Sequence, residues 1–429
     1  MSADLTWWQQ IRSVELNDLE SEALANNPDI AAAVVRVREA DAELRLARGA
    51  ALPSVSLAGG IVRERDVDAF GHPQLQRAWS AEGSAAYDLD LFDRLKNSTA
   101  AARAGLQESA AARDAVHLAV TAAVAQGYID LVTQHDALDV ANRALEARRG
   151  SVKVAQRRFT AGYGTELDLR QAQAEYQAAA ALIPATQLAI QKDEDALALL
   201  IGNAPKPLEI HRHLTDLVVP DVPVGLPSDV LRSRPDIAAA EDAIVAADRS
   251  MDSARAAFMP SVSLTADGGY VGSTLIANPL HVFSLGSSIL APLFEGGRLH
   301  AQADLASAQR DQAAYAYRKA ALAAFADVED ALAAVRQNGT REQAVESERA
   351  AIAAAYVLAR NRYREGYADY LEQLDAERTL LGAELECLQV RQGRFGAAIA
   401  VFQAIGGGWQ RSPETVAERP RIAPSAPTP

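Results

Sequence analysis

The chain has 429 residues, a formal net charge of −14, 49% apolar residues and only 6% aromatic ones. That acidic balance excludes a nucleic-acid surface, which needs concentrated basic charge. A single cysteine, Cys387, excludes an internal disulfide and a cysteine-based zinc site. Few large side chains and abundant alanine suit long, closely packed helices better than a compact catalytic core.

Read from its start, MSADLTWWQQ, the sequence shows no basic segment followed by an apolar run, so no signal peptide is visible in it. No charge-free run reaches the ~18 residues of a transmembrane helix. A cytoplasmic protein, or one whose export signal lies outside this sequence, fits both observations.

An internal repeat then organises the chain. NPDIAAAVVRVREADAELRLARGAALPSVSLAGG begins at Asn27, and RPDIAAAEDAIVAADRSMDSARAAFMPSVSLTADGG begins at Arg234. Pro28 and Pro235 each open a helix, with Asp29 or Asp236 at its positive end, and Pro53 or Pro260 ends it. Alternation follows. Val55, Leu57 and Ile61, then Trp79, Ala81, Ala85, Tyr87 and Leu89, interleave with small or polar residues. Val262, Leu264, Ala266 and Tyr270, then Phe283, Leu285 and Ile289, do the same in the second copy. Period two means strands with one apolar and one polar face.

Helix formers take over after each strand pair. No proline occurs between Pro73 and Pro184 or between Pro292 and Pro413, so helices of about 65 residues and about 100 Å are expected. The first is broken at Gly162-Tyr163-Gly164, with Thr165 able to cap a return helix, and the second is broken at Gly366. Pro184 is expected to kink the first return helix. The expected organisation is an N-terminal segment (1–27), a first repeat (28–205) with a β-hairpin at 55–90 and a helical hairpin at 94–202, and a linker (206–227). A second repeat (228–408) follows with a β-hairpin at 261–291 and a helical hairpin at 297–405, then a disordered tail (409–429).

Alternation alone is equally compatible with a soluble sheet packed on helices. Topology favours the membrane, because each strand pair runs into a helix too long to fold back as a lid. Four strands lying in lipid would leave edge N–H and C=O groups unsatisfied, so closure needs strands from other copies. Two copies give eight strands and a filled interior; three give twelve and room for water.

The residues resemble the TolC/OprM-type outer-membrane factors, in their OprM/NodT-like lipoprotein branch. The resemblance is carried by Trp7-Trp8 with ALANNPDI, by YDLDLFDRL at 87–95 and PLFEGGRL at 292–299, and by the tip motifs LDLRQAQ and LDAER. It covers about residues 5–408. It implies an α+β membrane protein: a trimeric 12-stranded barrel in the outer membrane of a Gram-negative bacterium, continuous with a coiled-coil barrel in the periplasm. The implied function is a passive exit duct of a tripartite efflux pump, with a periplasmic adaptor and an inner-membrane transporter of the resistance–nodulation–division class as partners. The family's signal peptide and lipid-carrying cysteine do not occur in this sequence.

By the same resemblance the periplasmic gate maps to Asp168, Tyr363, Glu372 and Asp375, and the adaptor-contacting tips to Gly162, Thr165, Gly366 and Asp369. Glu372 and Asp375 are three apart and share a helix face; three copies would stack two acidic rings. Spacing alone favours a solvated charged face, and the resemblance reverses that preference. An arginine that some relatives place just after the second turn is Ala368 here. Trp79, Tyr87, Tyr270 and Phe283 are expected at the membrane interfaces.

No phosphate-binding loop, nucleophile elbow or Ser/His/Asp set occurs, so no enzyme and no cofactor are expected. His211 and His213 lie in the proline-rich connection and are not expected to bind metal. Competing readings are a type I protein-secretion duct and a soluble helical scaffold or adaptor.

Overall fold

A computed structural model describes residues 6–67, 70–222 and 232–411. The expected tail beyond residue 411, and the part of the linker and second repeat at 223–231, lie outside the described residues. The elements are α1 (Val14–Asn26), α2 (Pro28–Ala50), β1 (Ser54–Val67), β2 (Pro73–Leu89), α3 (Arg94–Thr160) and α4 (Glu166–Leu200). They continue with α5 (Pro235–Ala256), β3 (Ser261–Ser273), β4 (Leu280–Leu290), α6 (Arg298–Glu365) and α7 (Tyr370–Ala404). Short 3₁₀ turns occupy Trp7–Ile11 and Leu214–Asp216. Pro184 does not end α4, which continues to Leu200. Two compact units result: one of Met1–Val34, Ala112–Ile237 and Ala320–Pro429, the other of Val35–Ala111 and Ala238–Lys319.

The second unit holds one antiparallel sheet in the order β1-β2-β3-β4, so β2 and β3 join the two repeats. Opposed residues share a face, and the register therefore sorts the side chains. Val55, Leu57, Ile61, Trp79, Tyr87, Leu264, Tyr270, Phe283, Leu285 and Ile289 lie on one face. The other carries Ser56, Glu82, Ser84, Asp88, Ser263, Asp267, Ser284 and Ser288. On that face Ser56 and Ser84 hydroxyls meet at 2.7 Å, Ser263 and Ser288 at 2.8 Å, and Ser284 Oγ donates to Asp267 Oδ2 at 3.0 Å. Gly272 is glycine because the indole of Trp79 occupies the place of a Cβ. The outer strands β1 and β4 are exposed along their whole length.

The first unit is helical. Trp7 stacks on Phe402 (centroids 5.1 Å apart, 11° between planes). Around them Ile11, Leu16, Val124, Tyr128, Leu131, Ile201, Leu214 and Phe395 are buried in one core. Helix α3 contains an 18-residue window of mean hydropathy 1.4, long and apolar enough to cross a membrane, but half of that window is buried within the protein. Val120, Val124, Tyr128, Ile129 and Val132 of α3 are core residues, so packing accounts for its apolar character.

The repeat also explains how the hairpins are closed off at their far ends. Asn27 Oδ1 accepts from Asp29 N and Ile30 N, capping α2, while its Nδ2 donates to Leu200 O at 2.7 Å. At the matching place Arg234 donates to Ala404 O at 3.2 Å and pairs with Asp236 and Asp327. Two different side chains thus satisfy the orphan carbonyls of the two return helices. Glu20 stands apart: it is fully buried, neither carboxylate oxygen has a partner, and burial pushes its pKa up to about 9.

Candidate functional site at the helix tips

Each long hairpin turns on a glycine with positive φ. Gly162 (φ +78°) follows α3, with Tyr163 N donating to Arg158 O at 2.9 Å. Gly366 (φ +86°) follows α6, with Tyr367 N donating to Arg362 O at 2.8 Å. Both satisfy the last carbonyls of a helix through a left-handed residue, which glycine adopts without strain.

The return helices begin differently. Thr165 and Asp168 form a capping box: Asp168 N donates to Thr165 Oγ1 (3.1 Å) and Thr165 N donates to Asp168 Oδ2 (3.2 Å). Asp369 occupies the cap of α7 but makes no side-chain capping bond. Of the expected gate residues, Asp168 is therefore engaged in its own helix start. Tyr363 is 4% exposed and packs in a small core with Ala155, Leu169, Ala172, Tyr370 and Leu374. Glu372 and Asp375 are exposed on α7; Glu372 pairs with Arg362 at 3.3 Å. Exposed apolar side chains at equivalent places flank the turns, Tyr163 and Leu167 on one and Tyr367 and Leu371 on the other.

What joins the hairpins is Arg158. Its Nη2 donates to Tyr363 O at 2.6 Å and reaches Arg364 O at 3.4 Å, and its guanidinium lies 4.3 Å from the centroid of the Tyr363 ring. Burial raises the Tyr363 phenol, while the Arg158 charge works in the opposite direction. Further along, a polar seam crosses the helices. Arg148 of α3 is buried against Glu175 of α4 (3.2 Å), and Arg378 of α7 bonds the same carboxylate. Glu377 Oε1 accepts from Ser151 Oγ (2.8 Å) and Gln373 Nε2 (2.7 Å), beside a cavity of about 260 Å³. Arg158 and this seam are absent from the sequence-based gate assignment. Periodicity gives no signal for them, because the contacts between the hairpins join residues more than 200 apart in the chain.

The four expected interface aromatics all lie on the apolar face of the sheet. Tyr87 stands opposite Leu264 near the helix end, whereas Trp79, Tyr270 and Phe283 stand opposite Gly272, His281 and Gly268 in the half nearer the hairpin turns. Tyr270, His281 and Phe283 rings are in contact, at 5.4 and 6.3 Å. His213 Nδ1 meets Asp136 Oδ1 at 2.6 Å, with Asp139 close by, and Leu214 N donates to Asp136 Oδ2 at 2.8 Å. Arg391 of α7 donates to Leu214 O at 3.1 Å. Asp136 thus holds the connecting segment against α3 while Arg391 holds it from α7.

The outer membrane efflux protein model matches residues 19–203 and 226–407, most of the chain. The chain belongs to the outer membrane efflux protein family. It is 33% identical to the pyoverdine export outer membrane protein OpmQ of Pseudomonas putida, over 96% of this chain and 90% of that protein. It is 32% identical to the cation efflux system protein CusC of Escherichia coli, over 92% of this chain and 87% of that protein. The crystal structure of the open state of the Neisseria gonorrhoeae MtrE outer membrane channel superposes with a TM-score of 0.82 at 30% identity, covering 92% of this chain and 90% of that one. As a member of the family the chain is an outer-membrane exit duct for efflux that reaches into the periplasm, and the expectation of a soluble scaffold is set aside.

Proposed function

We propose that three copies close a twelve-stranded barrel, β4 of each pairing with β1 of the next, and that their helical hairpins form a conduit gated at the tips. The observation that carries this reading is a sheet with one continuous apolar face and two fully exposed edge strands. In lipid those edges need strand partners, and twelve strands leave an aqueous interior where eight do not. Glu372 and Asp375, exposed on one face of α7 beside its turn, are the gate's acidic groups and stack as two rings in a trimer. Asp168 and Tyr363 brace the two tips from within. The turns at Gly162–Thr165 and Gly366–Asp369 receive the hairpins of a periplasmic adaptor, which links the duct to an inner-membrane transporter of the resistance–nodulation–division class.

The cargo is a small solute. Relatives named for pyoverdine export and for cation efflux favour this over protein secretion. Single-channel recording tests the rings. Neutralising both acids (Glu372→Gln with Asp375→Asn) should lower the cation-over-anion permeability ratio several-fold, as loss of a charged constriction does. Unchanged selectivity would sink the ring assignment.

A further inference from the structure

The apolar face of the sheet ends in arginine. Arg63 and Arg77 are directly opposed on β1 and β2, and Arg65 follows two residues on, opposite Leu75. All three share the face of Ile61 and Trp79 and are exposed. Their acidic strand neighbours alternate to the other face, where Glu64 accepts from Gln76 and Asp66 accepts from Val67 N at 2.8 Å. The hairpin is thus cationic on one side and acidic on the other. Like charges set directly opposite each other destabilise a strand pair unless an anion lies between them.

Their height is the deciding quantity. Ten residues separate Leu89, at the helix end of β2, from Trp79. At about 3.4 Å per residue and a tilt of about 40°, that rise is about 26 Å, the height of the apolar band of a membrane barrel (about 25 Å). Arg63 and Arg77 lie one strand repeat past Ile61 and Trp79, about 5 Å higher, where hydrocarbon gives way to headgroups. The helices leave the opposite end of the sheet towards the periplasm, so this rim faces the outer leaflet. From this geometry we infer that Arg63, Arg65 and Arg77 bind phosphate groups of anionic glycolipid in the outer leaflet. Guanidinium pairs bidentately with phosphate, and the anion relieves the opposed charges. The inference rests on the membrane placement of the sheet and is independent of the gate at the tips.

The test titrates the purified full-length protein in detergent micelles with diphosphorylated lipid A and with dephosphorylated lipid A, reading bound lipid by native mass spectrometry. The wild-type chain should prefer the phosphorylated lipid by about a hundred-fold, given about 1 kcal/mol from each of the three basic residues at a membrane surface. The triple variant Arg63→Gln, Arg65→Gln, Arg77→Gln should lose that preference, and the corresponding triple lysine variant should keep most of it. Equal binding of the two lipids by the wild-type chain would overturn the proposal whatever the variants do. So would full preference in the glutamine variant, or displacement of the lipid by millimolar inorganic phosphate.

Discussion

The two helix tips are copies of one sequence unit, yet they are held in different ways. The first closes on itself: Gly162 ends α3 and the Thr165–Asp168 box starts α4. The second has the glycine but not the box, since the Asp369 side chain makes no capping bond. Its tyrosine is instead held from outside, by the Arg158 side chain of the first hairpin. A locally satisfied turn is stiff by its own chemistry, whereas a turn held by a neighbour moves when the neighbour lets go. The exposed acids Glu372 and Asp375 sit on the helix that follows the second turn. The second tip is therefore the one expected to move, and the first the one expected to anchor.

The largest expected effect lies away from the tips and sets the background against which they are compared. Glu20 is protonated in the folded chain up to a pH of about 9, whereas a carboxyl of the unfolded chain loses its proton near 4.3. Its contribution to stability is full below the unfolded value and is lost as pH rises towards the folded one. The loss is at most about 1.4 kcal/mol per pH unit. Glu20→Gln should flatten this slope in denaturant titrations between pH 5 and 9, leaving tip variants to be read at one pH.

Within the tips, Tyr363→Ala should cost about 3 kcal/mol locally, since a buried ring is removed from a small core. Tyr363→Phe should cost well under half of that, because packing and the contact with Arg158 survive. Amide exchange around Gly366 measures both. If the alanine variant loosens the first turn as much as the second, the division between anchor and mover fails. Thr165→Ala should cost about 1 kcal/mol in the first turn of α4. Asp369→Ala should cost only a few tenths in α7, where no capping bond is lost. Equal exchange rates in the two variants would erase the difference on which the comparison rests.

Much of the architecture is legible in the sequence because it obeys a period. Alternation from Val55 to Leu89 and from Val262 to Ile289 sorts into one apolar and one polar face. The absence of proline after Pro73 and Pro292 foretells helices as long as α3 and α6. What stays hidden depends on contacts between segments far apart in the chain. Arg158 meets Tyr363 across 205 residues and Ser151 meets Glu377 across 226, and neither pair has a spacing that a single helix would betray. Asn27 and Arg234 do one job with unrelated side chains, so their equivalence is visible only once each is seen donating to the end of a return helix.

Single-channel recording of the full-length protein in planar bilayers, wild type against Arg158→Ala, measures whether Arg158 holds the second tip closed. The substitution removes a charged hydrogen bond and a cation–π contact, together worth about 2–4 kcal/mol, while sparing both helices. Arg158→Ala should raise the open fraction at least ten-fold, with Thr165→Ala producing little or no rise. An unchanged open fraction in Arg158→Ala, or an equal rise in Thr165→Ala, would contradict that role for Arg158.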